Sequence, residues 1–288
     1  MTLPDRWTFE AIGTRWQIDS FEPIAPEVRA SVQLLIDDFD RTWSRFRPDS
    51  DVTRMSRTAG RWTLEHADVL LGLYDRLDQV TAGAVNPLVG QALSDLGYDA
   101  HYSLRPRATV ASVPSWASLR RSGATVSTDE AVLLDVGAAG KGLAVDLVVD
   151  ALDQAGVQEV MVDAGGDLRH QGPASVKVAL EHPGDTTRAI GVVELRVDDA
   201  LCGSAINRRA WGDGLHHVID ARTGRPTEDV VAVWVLAEGS CMHADGLATA
   251  HFFADPEALA EVYPHRFVRV QADGRVLASP DLPGELFL

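Results

Sequence analysis

VQEVMVDAGGDLRHQGPASVKVALEH, from Val157 to His182, decides the fold class. Two β-forming runs, VQEVMVDA and VKVALEH, are separated by turn residues, and Gly165-Gly166 sits where a strand must reverse onto its neighbour. The pattern continues towards the C-terminus. AIGVVELRV (189–197), LHHVID (215–220) and DVVAVWVLA (229–237) read as strands, and RFVRVQADGRVLAS (266–279) reads as a hairpin with Asp273-Gly274 at its turn. A single helix, roughly Met242 to Ala254, interrupts them. Strands joined by turns, with few helical crossovers, predict an α+β fold with a largely antiparallel sheet.

The N-terminal half is richer in helix. Trp7 to Ser20 alternates as an early strand, and Val28, Val32, Leu35, Ile36, Phe39 and Trp43 recur at helical spacing between Pro26 and Phe46. A polar RPDSD loop follows, then a second amphipathic helix carrying Leu70, Leu73, Tyr74, Leu77 and Val80, and then the turn-rich TAGAVNPLVG. Residues 98 to 128 show no periodicity. AVLLD (131–135) reads as a buried strand running into GAAGKG, with a helix from about Leu143 to Gln154 and Gly156 just beyond it. With no linker between these segments, residues 1–288 are expected to form one domain, as a single body or two closely packed lobes.

The chain has 288 residues, 45% of them apolar, ample for a large core, and a formal net charge of −16. Such a charge repels phosphate backbones and anionic lipid heads, so neither nucleic acid nor membrane is expected as the main partner. An anionic substrate would then need a metal or a local basic group. MTLPDRW lacks the basic-then-apolar pattern of a signal peptide, and the run from Val230 to Ala237 is too short to span a bilayer. The two cysteines, Cys202 and Cys241, show no paired spacing. A cytoplasmic protein is the expectation.

Four constellations carry the chemistry. LLDVGAAGKGLAVD (133–146) ends a strand in glycines ahead of a helix, where free amides and the helix dipole suit a phosphate. Neither a P-loop nor a GxGxxG fingerprint fits its spacing. A tight strand-to-helix turn explains the glycines, while Lys141 and Asp135 tip the segment towards an anion site. In HADGLATAHF, Asp245 and Thr249 lie four apart and share a helix face, a carboxylate and a hydroxyl suited to magnesium; a helix-start Asp with a packed Thr is the plainer alternative. LHHVIDARTGRP carries His217 and a turn at Asp220 to Gly224, and VDAGGDLRHQG carries the Gly165-Gly166 turn. A strand histidine and a hairpin turn each have an ordinary structural explanation.

Taken in this order, Asp135 with GAAGKG, DAGGD, HVIDARTG and ADGLAT resemble the motifs of the ApbE-like family, the FAD:protein FMN transferases. IGT (12–14), WSRF before PDSDV, and GAVNP add weaker matches, so the resemblance spans roughly Phe9 to Phe253. It implies an α+β fold related to the T-fold, with the flavin nucleotide in a cleft between lobes. It implies magnesium held by Asp245, Thr249 and the backbone oxygen of Ala138. FAD, the substrate, would be met by Ile12, Phe46, Ala84, Val85, Asn86, Asp135, Lys141 and Ile219 in the HVID strand. The implied reaction moves FMN from FAD to a Thr or Ser hydroxyl of an acceptor protein and releases AMP, with His217 the candidate for taking the hydroxyl proton, on the ground that an unperturbed imidazole pKa suits the role. An FAD pyrophosphatase yielding FMN and AMP, and a non-enzymatic FAD-binding protein, are the alternatives. The chain departs from the family pattern with Ile12 in place of Met, Phe46 in place of Tyr, GAVNPL in place of GAFDPT, and Gly203-Ser204-Ala205 in place of TSG. These changes spare the metal positions and bear on how the flavin is oriented.

Overall fold

A computed structural model describes residues 5–287. The early stretch predicted as one strand is a hairpin, β1 (Asp5–Ala11) and β2 (Thr14–Ser20). The chain reverses at Ile12 and Gly13, both with positive φ (49° and 67°), the two-residue turn whose twist matches antiparallel strands. Glycine adopts that conformation freely. A β-branched isoleucine does not, so Ile12 is held there by its surroundings.

The later strands are β3 (Val160–Ala164), β4 (Asp167–Gln171), β5 (Val176–His182), β6 (Asp185–Leu195), β7 (Asp199–Ala205), β8 (Val230–Glu238), β9 (Arg266–Gln271), β10 (Val276–Ala278) and β11 (Gly284–Leu286). The main sheet runs β1-β2-β3-β4-β7-β8-β9-β10, every neighbouring pair antiparallel. The predicted fold class is therefore the one observed. A second sheet, β11-β6-β5, packs on one face of the first through Leu180, Val193 and Leu195 against Leu201, Leu236 and Val268. A third, small sheet pairs Gly60–Thr63 with Thr125–Thr128 and, inside the stretch that showed no periodicity, Thr125–Thr128 with Arg120–Ser122.

The other face of the main sheet carries the helices and the larger core. They are α1 (Pro26–Trp43), α2 (Ala67–Val80), α3 (Gly140–Gln154) and α4 (Cys241–Ala250). α1 buries Val32, Ile36, Phe39 and Trp43, the predicted stripe. Short helices the sequence reading passed over occur at Asp51–Met55, where Ser50 Oγ caps the Thr53 amide at 3.1 Å, and at Pro256–Val262.

Three local expectations are corrected. AVLLD is extended but joins no ladder: its Val132 and Asp135 amides donate to the carbonyls of Met55 (3.1 Å) and Pro87 (2.7 Å). Its apolar run reflects burial, which periodicity cannot tell from a strand. GAAGKG is not a turn ahead of a helix, because α3 begins at Gly140 and its first turn contains Lys141 and Gly142. LHHVID is two short pairings, Leu215–His216 with Ala210–Trp211 and Ile219–Asp220 with Arg225–Pro226. The two cysteines, apparently unrelated in sequence, lie buried with Sγ atoms 3.4 Å apart as free thiols.

Glycine in a first helical turn costs helix propensity, and its position explains why it is there. A Cβ on Gly142 would lie 2.4 Å from the Cys241 carbonyl oxygen and 2.8 Å from Asp245 Cβ, so α3 and α4 cross with no room for a methyl. The crossing is clamped. Asp146 of α3 accepts the amides of Cys241 (2.8 Å) and Met242 (3.0 Å), adding to the local cap in which Ser240 Oγ accepts the His243 amide (3.2 Å), while Arg169 of β4 pairs with Asp146 at 2.8 Å. Gly142→Ala is expected to force backbone movement and to lower the unfolding free energy by about 1–3 kcal/mol in urea titrations, the range for overpacked cores. An unchanged midpoint would show that the helices do not need the close approach.

Candidate active site

A cavity of about 1020 Å³ opens where the β1–β2 turn, the end of α1, the first turn of α3, α4 and the β3–β4 turn meet. Every residue expected to meet magnesium or FAD lines it, as does His217, whereas the Asp220 to Gly224 turn does not. Ile12 comes from the hairpin turn, Phe46 from beyond α1, Ala84, Val85 and Asn86 from the loop after α2, and Asp135, Ala138 and Lys141 from the segment entering α3. His217 and Ile219 come from the short pairings, and Asp245 and Thr249 from one face of α4.

At the α3–α4 crossing Asp245 is 3% exposed and accepts the Gly142 amide at 3.0 Å. In a regular helix that amide would serve the Ala138 carbonyl four residues back. Burial raises the Asp245 carboxyl to about 6; neighbouring Lys141 works against the shift and Asp146 adds to it. The Tyr74 hydroxyl is buried beside it with no hydrogen-bond partner, and burial, with the charges of Asp135 and Asp245, pushes it well above the usual phenol range. Lys141 pairs with Asp167, so its charge is shared before any ligand enters, and one Asp167 oxygen stays buried and unpartnered. Among the described residues no three His, Cys, Asp or Glu side chains gather as a metal cluster. Besides the Asp245 carboxylate, the cavity lining offers the Thr249 and Tyr74 hydroxyls and the backbone oxygen of Ala138.

Another part of the lining is aromatic and cationic. Arg45, 4% exposed, pairs with Asp135 and donates to the Tyr98 carbonyl at 2.7 Å. Its guanidinium lies 4.2 Å from the Phe46 ring centre and 4.7 Å from that of Tyr98, and its Nη2 has no partner. Phe46 stacks on Tyr102 at 5.1 Å, and Tyr98 stacks on Trp211 at 5.7 Å. Arg209 sits 5.5 Å from Tyr98, and burial together with the like charge of Arg45 lowers its pKa. Sequence reasoning missed Arg45, Tyr74, Tyr98, Tyr102 and Arg209. The signal within reach was Arg45, adjacent to Phe46 in WSRF.

Asn86 spends its polar atoms on its own loop, accepting the Leu88 amide at 2.9 Å and donating to the Pro114 carbonyl at 3.0 Å. Asp135 Oδ1 accepts the Gly137 amide at 2.8 Å, which fixes the bend into α3. The two adjacent histidines divide their tasks. His216 is tied into the structure, Nε2 to the Thr227 carbonyl at 2.8 Å and Nδ1 to the Val218 amide at 3.3 Å, while His217 borders the cavity. The unperturbed pKa expected for His217 is not what its site provides. Burial, aided by Arg209, lowers it to about 4, so the ring is neutral and a weaker base than free imidazole. A cavity lined by oxygen donors, arginines, stacked rings and a neutral imidazole suits an extended anionic ligand with a flat ring.

The ApbE family model matches residues 12–271. A Rhodobacter capsulatus protein named FAD:protein FMN transferase is 29% identical over 97% of this chain and 58% of its own length, so the chain spans little more than half of that relative. A Vibrio cholerae protein of the same name is 28% identical over 77% of this chain and 72% of its own length. Among solved structures, the flavin transferase ApbE from Vibrio cholerae superposes with a TM-score of 0.80 at 23% identity, covering 96% of this chain and 97% of that one. The ApbE protein of Thermotoga maritima gives 0.79 at 21% identity with the same coverage. At these identities the structures establish a shared fold.

The depressed His217 pKa has a measurable sign. The unfolded ring takes its proton near 6.5 and the folded ring near 4, so the stability this group contributes is whole above 6.5 and is lost as the pH falls towards 4. Ring resonances of His217 followed by NMR are expected to stay put from pH 8 to about 5 and to move only near 4. A transition near 6.5 would place the ring in water.

Proposed function

Because the chain belongs to the ApbE family, we propose that it moves the FMN half of FAD onto a Ser or Thr hydroxyl of an acceptor protein, with magnesium bound and AMP leaving. The observation that carries the reading is the meeting of Asp245, Thr249 and Ala138 with Lys141 on one wall of a cavity large enough for a dinucleotide. In the transfer, the acceptor oxygen attacks the FMN-side phosphorus, the bond to the AMP oxygen breaks, and the hydroxyl proton passes to Nε2 or Nδ1 of the neutral His217.

The donor set fits magnesium. The Asp245 carboxylate, the Thr249 hydroxyl and the Ala138 carbonyl are hard oxygens, and a carboxylate buried enough to be raised to about 6 calls for a cation beside it. When bound, the metal would neutralise charge on the diphosphate. The protein's own groups do the rest. Lys141 and the amino-terminal end of α3 face the phosphates, and Arg45 and Arg209 relieve their mutual repulsion on an anion. Phe46 and Tyr102 offer a stacked surface for a flat ring. This local basicity lets a chain of net charge −16 accept an anionic substrate. The compartment we propose is the cytoplasm, where neighbouring thiols such as Cys202 and Cys241 stay reduced.

Incubation with FAD, magnesium and acceptor is expected to release AMP and to add the mass of FMN to the acceptor. Asp245→Asn should lower the rate by at least about 100-fold, in line with loss of a main electrostatic element. The metal has a second readout. Protons compete for Asp245 near pH 6, and above that pH the metal-free fold carries an unscreened buried carboxylate. Magnesium should therefore raise Tm more at pH 8 than at pH 5. Equal shifts at both values, or an unaltered rate in the Asp245 variant, would remove the metal from this site.

A further inference from the structure

A side groove of about 90 Å³ leads off the cavity and shares most of its lining with it, including the Gly165-Gly166 turn, Val178, Ala179, Glu181, Ser204 and Arg208. Its inner end lies at Gly165-Gly166, next to Asp167, the partner of Lys141. One wall is β5. Val178 and Ala179 both border the groove, and consecutive strand residues point to opposite faces, so the groove meets β5 along its edge. That edge pairs with no other strand among the described residues, since β5 is outermost in β11-β6-β5.

The rest of the groove is shaped for a main chain. Gly203 of β7 lies over Trp234 of β8, and a Cβ there would come within 3.1 Å of the indole. Gly166, at φ +103°, has nothing within 4 Å of where its Cβ would stand, so the turn leaves open space on the groove. Outside, Glu181 and Arg208 pair at 3.2 Å, and Asn207 donates to the Pro183 carbonyl at 2.7 Å, fixing the far end of the β5–β6 hairpin. The volume is too small for a helix, about 10 Å across with its side chains, and fits an extended chain.

We infer that this groove receives an extended segment of the acceptor protein, which adds as a strand to the free edge of β5 and delivers its Ser or Thr side chain past Gly166 to the phosphate end of the cavity. The inference rests on the transferase reading. Continuity selects the occupant: a hydroxyl must arrive beside Lys141, and the groove opens at Gly165-Gly166 into the cavity that Lys141 lines. Strand addition draws affinity from main-chain hydrogen bonds, so one edge could serve acceptors that differ in side chains around the modified residue.

The test uses the full chain with FAD and magnesium and a library of unstructured peptides, about 11 residues long with one central Thr, long enough to run the length of a strand. Flavin attachment is read by mass, AMP release separately, and hydrogen exchange over residues 176–182 with and without peptide. Wild type is expected to modify peptides saturably, with slower exchange in 176–182. Ala179→Arg, at an exposed position bordering both groove and cavity, should raise the peptide KM by about tenfold or more, a larger effect than on FAD binding, because the added side chain stands on the free edge of β5. Ala179→Ser should behave as wild type. Unchanged exchange, an unchanged KM in Ala179→Arg, or modification of folded proteins with none of the peptides would overturn the groove assignment. FAD bound with no AMP or flavin attachment under any of these conditions would overturn the transferase reading itself, and the two failures look different.

Discussion

The Gly142 amide donates to the Asp245 carboxylate across a helix crossing too tight for a methyl group, and the cavity is organised around that contact. It brings the first turn of α3, with Lys141, and Ala138 just ahead of it, against the face of α4 that carries Asp245 and Thr249. The Asp146–Arg169 pair clamps the same crossing to the sheet and caps α4, so the amino-terminal ends of both helices are held by one arrangement. Glycine is poor helix material, and two glycines in the first turn of α3 are tolerated because tertiary packing outweighs propensity there.

Acidic and basic side chains are more evenly matched around the cavity than over the chain as a whole. A surface of net −16 surrounds a cavity whose wall includes Lys141, Arg45, Arg208 and Arg209. The arginines are only partly neutralised in advance, Arg208 by Glu181. Arg45 spends part of its charge on Asp135, keeps one nitrogen unpartnered and crowds Arg209 across Tyr98. Unsatisfied buried donors of this kind are costly in an empty site and repay that cost when an anion enters. The buried Asp245 is the mirror case, awaiting a cation.

Much of this was legible in the sequence. Alternation and turn glycines in 157–182 marked antiparallel strands, period 3.6 marked α1 and α2, and four short motifs picked residues that all border one cavity. What escaped had physical reasons. Tyr98, Tyr102 and Trp211 come from segments without periodicity, and only the fold stacks them. The Cys202–Cys241 contact joins β7 to α4 and leaves no trace in spacing. AVLLD looked like a strand because burial and strand pairing select the same residues. The weakened basicity of His217 arises from enclosure, which a sequence does not display.

The register of the main sheet also carries a kinetic consequence. β2 lies between β1, its immediate neighbour in sequence, and β3, where Ser20 meets Val160. During synthesis the N-terminal hairpin can form at once, but its inner edge must wait for the second half of the chain to emerge. Contacts of such separation are slow to close, and an unpaired edge invites association in the interval. Because the cavity draws on Ile12 at one end and Thr249 at the other, nascent or truncated chains have no partial form of it; the site appears only when the last long-range pairing is made.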